Sequence, residues 1–195
     1  MIDVTQMVAS TVQVRALVAD HPATSPREEA AKERFLAELE PLDDPYNEHA
    51  NPTHVTASGI VVGTRGTVLH LHKRLARWMQ PGGHIDAGET PPEAARREAV
   101  EELGLEVRHP AGGPYLIHID VHEAALDHTH LDLRYLLIAS TDDPDPPPGE
   151  SPEARWYDWD EAAAIADDAL SPALVIARAE WEALDDTSAS GGART

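Results

Sequence analysis

The segment over residues 83–105, GHIDAGETPPEAARREAVEELGL, constrains the fold of this chain more than any other. Thr90, two prolines and Glu93 form a capping box with proline at the first helical position, which predicts the start of a helix. Gly104 can take the left-handed backbone conformation that closes a last helical turn. The spacing therefore predicts a helix over residues 91–103.

This predicted helix carries two different faces. An apolar stripe repeats every four residues and should face the core: Ala95, Ala99 and Leu103. Three carboxylates, related by three and four residues, crowd another patch: Glu98, Glu101 and Glu102. Like charges at this spacing repel one another and destabilise a helix, so another group must offset that cost.

The simplest interpretation of the glutamates is a solvated acidic helix face, which suffices for the acidic run at Glu38 and Glu40. Here, however, Arg97 stands beside the cluster, Glu89 precedes the helix, and glycines bracket both ends. Three carboxylates held on a rigid helix favour hard divalent cations, whose remaining positions are normally taken by water and substrate phosphates. We therefore expect Mg²⁺ as the cofactor, with Mn²⁺ as the usual substitute.

At these positions the segment resembles the Nudix box. Seven residues match its pattern: Gly83, Glu89, Arg97, Glu98, Glu101, Glu102 and Gly104. Ala99 and Leu105 fill its aliphatic positions, although Ala99 is smaller than the family's more usual residue. The resemblance covers about residues 53–185 and implies an α+β fold, the Nudix-type α/β/α sandwich with a mixed β-sheet.

The resemblance also implies roles for individual residues. The expected metal ligands are three carboxylates and one backbone carbonyl: Glu98, Glu101, Glu102 and Gly82. Glu98 is the better candidate for orienting or deprotonating a water, although family members differ in which glutamate is the base. Arg97 and Glu89 are expected to aim the catalytic carboxylates, because a guanidinium fork can bind a carboxylate in two places.

Composition argues against several classes of function. The chain has 15 basic and 35 acidic residues, a formal net charge of −20, which disfavours binding to a nucleic-acid backbone or an anionic membrane surface. It contains no cysteine, which excludes disulfides, thiolate metal sites and the isopentenyl diphosphate isomerase chemistry that the same fold supports with a catalytic cysteine. Neither a secretion signal nor an apolar run of membrane-spanning length is present, so we expect a cytoplasmic protein.

Hydrophobic periodicity divides the chain into three parts. Residues 1–50 are predicted to form an N-terminal helical extension and linker, which would cover the core or a partner subunit in a homodimer. Residues 51–185 are predicted to form the Nudix hydrolase domain, and residues 186–195 a disordered tail. The domain's predicted strands lie over residues 55–62, 67–72, 116–121, 131–139 and 154–157, with later helices over 160–166 and 171–184.

Polar and apolar residues alternate on two of these strands. If the strands pair, one face carries six polar side chains: His118, Asp120, His122, His130, Asp132 and Arg134. We consider a polar wall beside the active site, a solvated face, and a separate metal site such as zinc. The wall is favoured, and its candidate substrate ligands are His118, His130, Asp132 and Arg134. Arg74, at the end of the strand before the box, is a further candidate phosphate ligand.

These features predict metal-dependent hydrolysis of a diphosphate (pyrophosphate) bond in a nucleoside diphosphate linked to another moiety. The substrate would be a small molecule of the nucleotide or nucleotide-sugar class. The alternative is a nucleotide-binding regulatory module on the same fold that has lost turnover. Such a module predicts a damaged glutamate cluster, whereas the cluster in this chain is intact.

Overall fold

The computed structural model describes residues 4–191 of the chain. The helices are α1 (Val4–Asp20), α2 (Pro26–Leu39), α3 (Pro91–Leu103), α4 (Trp159–Ile165) and α5 (Ser171–Gly191). The strands are β1 (Thr53–Gly63), β2 (Gly66–His72), β3 (Arg77–Met79), β4 (Gly82–His84), β5 (Val107–Arg108), β6 (Leu116–Glu123), β7 (Thr129–Ala139) and β8 (Ala154–Tyr157). None of the helices in this part of the chain combines the length and apolar character needed to span a membrane.

All eight strands belong to one mixed sheet whose main path runs β3-β2-β1-β7-β5. β1 and β7 are parallel, and the other pairings are antiparallel. Beyond this path, β4 pairs with β1, β6 with β7, and β8 with β2. Near its end β1 pairs with β2, and earlier it pairs with β4, so the sheet forks between β2 and β4.

Helices cover both faces of this sheet, which confirms the predicted α+β sandwich. On one face, α3 buries its predicted apolar stripe, and Ala99 and Leu103 pack with Val61 of β1. On the other face, α5 packs Ala173 and Leu174 into a second apolar cluster. Burial of these stripes removes apolar area from water and is the main term that holds the layers together.

The N-terminal helices are packed into the same core as the sheet. Val14 and Val18 of α1 and Phe35 of α2 join a cluster that includes Val55 and Leu131 of the two central strands. Helix α2 begins after Ser25, whose side chain accepts a hydrogen bond from the N–H of Glu28. α2 also lies along β6, the strand at one edge of the sheet, where the Glu28 carboxylate accepts the N–H of Ile119 at 3.0 Å.

The structure corrects the sequence prediction at three short strands and at the last helix. The sequence did not predict β3, β4 or β5, because strands of two or three residues are too short to show a period of two. The end of α5, predicted at Leu184, is instead at Gly191, so residues 186–191 are helical rather than part of a disordered tail. Residues 192–195 of that predicted tail lie outside the described residues.

Candidate active site

Helix α3 begins and ends where the sequence predicts. Thr90 is its N-cap, and Thr90 and Glu93 form the reciprocal hydrogen bonds of a capping box. Gly104 has a φ of 63° and donates its N–H to the carbonyl of Val100. A Cβ at Gly104 would lie 1.9 Å from the carbonyl oxygen of Asp145, so glycine is required there for space as well as for conformation.

Arg97 connects the acidic residues on and around α3. Its Nε and Nη2 donate to the two carboxylate oxygens of Glu89 at 2.8 and 3.0 Å, which is a bidentate pair. Its Nη1 donates to Glu98 at 2.9 Å and to Glu101 at 3.1 Å. Its Nη2 also reaches the backbone carbonyl of His84 at 2.9 Å. One cation thus ties the loop before the helix, the helix and strand β4 together.

The glycines of β4 lie against the other side of the glutamates. The N–H of Gly82 donates to Glu102 at 2.9 Å. A Cβ at Gly83 would lie 2.6 Å from a carboxylate oxygen of Glu98, so any larger residue would displace that carboxylate. Glu102 and Glu98 therefore lie against β4, and Arg97 holds Glu101 beside Glu98. We name Glu98, Glu101 and Glu102 the glutamate cluster.

Burial and mutual repulsion oppose the ionisation of two glutamates in this cluster, Glu98 and Glu102. Burial raises the pKa of Glu102 to about 8, and the nearby Glu98 adds to the effect although the N–H of Gly82 opposes it. Burial also raises the pKa of Glu98, against the lowering effect of Arg97. By contrast, the hydrogen bond from Arg97 lowers the pKa of Glu89. A divalent cation would stabilise the ionised form of the two glutamates whose ionisation burial opposes.

Strands β6 and β7 do pair, which is the condition for a shared polar face, and β1 extends that face. Three rows of residues cross β1, β7 and β6: His54–His130–His122, Thr56–Asp132–Asp120 and Ser58–Arg134–His118. We call these nine residues the polar face. Because β4 pairs with β1 at Thr56 and Ser58, its residues His84 and Gly82 lie directly beside the polar face. Strand β4 therefore contacts both the glutamate cluster and this face.

Most of the polar face is buried, so a freely solvated surface does not describe it. Arg134 is 2% exposed, and its guanidinium donates to Asp132 at 3.0 Å, to Asp120 at 2.9 Å and to the carbonyl of Ala169. The hydroxyl of Ser58 donates to the second acid, Asp132, at 2.8 Å. The positive charge and the hydrogen-bond donors of Arg134 thus have partners inside the protein. This geometry favours Arg134 as a group that holds the two aspartates.

Burial disfavours the charged form of the two histidines among the predicted substrate ligands. Burial lowers the pKa of His118 to about 4, with a further contribution from Arg134. Burial, and then His122 and His54, lower the pKa of His130 to about 4. Arg74 is exposed in the turn after β2, and no hydrogen bond or ion pair among the described residues joins it to the glutamates or the polar face.

Several residues of this region were missed in the sequence. His70 of β2 is 4% exposed, and its Nε2 lies 3.8 Å from Glu102. The hydroxyl groups of Thr56 and Ser58 both donate hydrogen bonds to the Asp132 carboxylate. The signal was present, because His54, Thr56 and Ser58 alternate with apolar residues along β1. Only the parallel pairing with β7, however, assigns them to the same face as the later strands.

A model of the NUDIX domain matches residues 52–179 of this chain, which is more than half of its length. The chain belongs to the Nudix family. The resemblance of residues 83–105 to the Nudix box is thereby confirmed, and α3 is the Nudix helix.

Known proteins with similar sequences or structures agree with this assignment. A solved structure described as a hydrolase of the NUDIX family from Clostridium perfringens is 32% identical, with a TM-score of 0.54, over 68% of this chain and 96% of that one. An RNA pyrophosphohydrolase of Psychrobacter cryohalolentis is 48% identical over 26% of this chain and 30% of its own length. A putative 8-oxo-dGTP diphosphatase 2 of Mycobacterium tuberculosis is 40% identical over 30% of this chain and 45% of its own length. The matched region thus spans less than half of these two curated relatives.

Proposed function

We propose that this Nudix protein hydrolyses a diphosphate bond in a nucleoside diphosphate linked to another moiety, in a metal-dependent reaction. The observation that carries the proposal is the intact glutamate cluster on α3, held by Arg97 and placed against the glycines of β4. Four acidic side chains form ion pairs with a single arginine, Arg97: Asp86, Glu89, Glu98 and Glu101. This excess of negative charge on rigid elements suits a cation and a phosphorylated substrate.

The donor atoms fit Mg²⁺ or Mn²⁺. Carboxylate oxygens of the glutamate cluster and the backbone carbonyl of Gly82 would hold the ion, and these are the hard oxygen ligands that such cations prefer. When bound, the ion would neutralise charge on the diphosphate and lower the pKa of a bound water. Gly82 suits this role because its own N–H is fixed by Glu102, which anchors the strand beside the cluster.

In this reaction the side chains of the protein would position the attacking water and accept its proton. Glu98 is our candidate for orienting or deprotonating the attacking water, because it is held by Arg97 and its carboxylate lies against Gly83. Arg97 and Glu89 act as positioning residues: their bidentate pair aims the side chains of Glu98 and Glu101. Such supporting interactions typically change metal affinity or activity by about 10–100-fold.

The substrate would bind alongside β4, between the glutamate cluster and the polar face. His130 and His118 are uncharged hydrogen-bonding groups suited to a sugar or a base, and Asp132 is held by Arg134 and Ser58. Direct phosphate binding by Arg134 is less favoured, because its donors are already used. The names of the two curated relatives share hydrolysis of a pyrophosphate bond and differ in substrate. We therefore propose the bond type and the nucleotide class, and no single nucleotide.

We also expect a cytoplasmic protein that acts on a small molecule and binds neither nucleic acid nor membranes. The net charge of −20 supports this expectation, because it repels a polyanionic partner. A homodimer formed through the N-terminal helices is a further prediction, and light scattering on the purified chain would test it. The alternative function, a nucleotide-binding module without turnover, has no support from the intact cluster.

A substrate panel tests the proposed function. Nucleotide sugars, dinucleoside polyphosphates, ordinary and oxidised nucleoside triphosphates, and RNA with a 5′-triphosphate would be incubated with the protein and Mg²⁺, and the products separated by chromatography. We expect products of diphosphate cleavage from at least one small nucleotide, and loss of turnover when the metal is chelated. Metal-dependent nucleotide binding without turnover on the whole panel would establish the regulatory module instead.

A further inference from the structure

Three histidines from three strands converge on one point at the end of the polar face. The ring nitrogens of His54, His84 and His130 that could each bind a metal lie within 4.8 Å of one another. His54 and His130 are direct partners in the parallel pairing of β1 and β7, and His84 of β4 is paired with Thr56, two residues along β1. The three side chains are therefore positioned by hydrogen-bonded strands of the sheet.

His54 has the hydrogen bonding of a histidine prepared to bind a metal. Its side chain is fully buried, and its Nδ1 lies 3.2 Å from the carbonyl oxygen of Asn51. Because a carbonyl can only accept, Nδ1 carries the proton and Nε2 presents a lone pair. That Nε2 is buried and has no hydrogen-bond partner among the described residues. Leaving a buried acceptor unpaired costs free energy, and histidine ligands of metals typically donate their other N–H to a carbonyl in this way.

Two more histidines and one glutamate surround the three. The ring of His128 lies 5.3 Å from that of His54, and the ring of His122 lies 5.4 Å from that of His130, both measured between centroids. A carboxylate oxygen of Glu48 lies 3.3 Å from Nε2 of His84. Several protonated imidazoles so close together would repel one another. Neutral imidazoles around one bound cation avoid this repulsion, and Glu48 can orient His84 or supply an oxygen ligand.

We propose that His54, His84 and His130 form a binding site for one divalent transition-metal ion, Zn²⁺ foremost, separate from the glutamate cluster. Imidazole nitrogen suits Zn²⁺, Ni²⁺ and Cu²⁺, whereas carboxylate and carbonyl oxygens suit Mg²⁺ and Mn²⁺. Three nitrogens at about 2.1 Å from Zn²⁺ lie about 3.4 Å apart in a tetrahedral site. Because the nitrogens already lie within 4.8 Å of one another, binding would bring them closer by at most about 1.4 Å. His84, whose side chain is 40% exposed, has room for that movement.

The site differs from the second metal site considered from the sequence. That hypothesis drew its ligands from the β6–β7 hairpin, whereas only His130 of the proposed set lies there. His84 lies two positions after Gly82 on β4, which corresponds to roughly 7 Å along the strand. The two metals would therefore occupy neighbouring but chemically different sets of ligands.

Calorimetric titration of the full-length protein with Zn²⁺, in buffer containing saturating Mg²⁺, tests the proposal. We expect one Zn²⁺ per chain, and at least a roughly tenfold loss of affinity in His54→Ala and in His84→Ala. Co²⁺ used in place of Zn²⁺ should give the visible absorption of a nitrogen-ligated site, and this band should be absent in both variants. Circular dichroism of each variant checks its fold. If His54→Ala fails to fold, the half-exposed His84 carries the test.

Two matched controls separate this site from other histidines and from the glutamates. His109→Ala removes a half-buried histidine that contacts the carbonyl of Pro92 on the other side of the sheet, and it should leave Zn²⁺ affinity unchanged. A Glu98→Gln, Glu101→Gln double variant should also retain Zn²⁺ binding. The proposal is overturned if the wild-type protein binds no Zn²⁺ in the presence of Mg²⁺. It is equally overturned if binding survives both histidine changes or disappears with the glutamates.

Discussion

The glutamate cluster and the polar face lie on either side of strand β4 and are built in opposite ways. The three glutamates come from five consecutive positions of one helix. The polar face comes from β1, β6 and β7. Thr56 and Asp132 are 76 positions apart in the sequence, yet the hydroxyl of Thr56 donates to a carboxylate oxygen of Asp132 at 3.2 Å. The first arrangement follows from helical spacing alone. The second requires the register of three strands.

Their charge balance differs as well. On α3, Arg97 alone forms ion pairs with four carboxylates, those of Asp86, Glu89, Glu98 and Glu101, and burial raises the pKa of Glu102 to about 8. In the polar face, Arg134 is fully engaged by Asp120 and Asp132, and the pKa of Asp120 falls to about 2, because the hydrogen bond from His122 and the charge of Arg134 outweigh burial. The comparison teaches that the helix leaves a negative site open to a cation, whereas the buried ion network of the sheet is largely complete.

The largest effect is expected when the open site loses one charge. Glu101→Gln should reduce turnover by about 10³-fold, because it replaces an anionic carboxylate ligand with a neutral amide without changing the helix. Steady-state kinetics on the best nucleotide of the panel measures this loss. Glu106→Gln, an exposed glutamate just beyond the helix, is the matched control and should keep wild-type turnover. Equal activity of the two variants would contradict a role of the glutamate cluster in turnover.

Removing one aspartate from the buried ion network of the polar face should instead lower the stability of the fold. Asp132→Ala leaves the buried Arg134 with one acidic partner and Ser58 without its acceptor, so we expect a loss of about 3 kcal/mol in the free energy of unfolding. Urea denaturation followed by circular dichroism measures it. Asp43→Ala, at an exposed position in the loop after α2, serves as the reference substitution. A change below about 1 kcal/mol at Asp132 would contradict a tightly coupled buried network.

A smaller effect on activity is expected from the arginine that orders the glutamates. Arg97→Lys keeps the charge and loses the bidentate fork, so we expect a roughly 10–100-fold rise in the Mg²⁺ concentration needed for half-maximal activity. The metal dependence of the rate at saturating substrate measures this. Arg96→Lys, one position earlier and exposed, is the control. If the lysine variant lost turnover at every Mg²⁺ concentration, Arg97 would act on the reacting atoms directly.

The smallest effect concerns the attachment of α2 to the edge strand. Burial opposes ionisation of Glu28, but hydrogen bonds from His21 and Thr24 outweigh it and lower the pKa to about 2 from 4.5. Because the folded-state pKa is depressed, this stabilisation is present above pH 4.5 and is lost as the pH falls toward 2. Glu28→Gln should therefore cost about 2 kcal/mol at pH 7.

The pH dependence separates this electrostatic contribution from simple packing. Urea denaturation of the wild type and of Glu28→Gln at several pH values should show the difference shrinking between about pH 4.5 and 2. Glu29→Gln, the exposed neighbour on the same helix, should give little difference at any pH. A difference that stays constant with pH would mean that the shape of the side chain matters and its charge does not.

Sequence-based prediction succeeded where neighbouring residues decide the structure. The capping box at Thr90, the left-handed Gly104 and the clamp of Arg97 on Glu89 all depend on positions within about one turn or loop of each other. The pairing of β6 with β7 was also predicted, because alternation on both strands is visible along the chain. The short strand β4 and the contribution of His70 were missed, since neither has a periodic signal.

The sequence by itself determined the Nudix helix and its acidic face, on which the proposed reaction rests. Only the tertiary structure decided that His54 and His84 meet His130, that β1 completes the polar face, and that the N-terminal helices share the core of the domain. The physical reason is the range of the interactions. A helix places residues three and four apart on one face by its own geometry, whereas a sheet brings distant residues together only through the register of its hydrogen bonds.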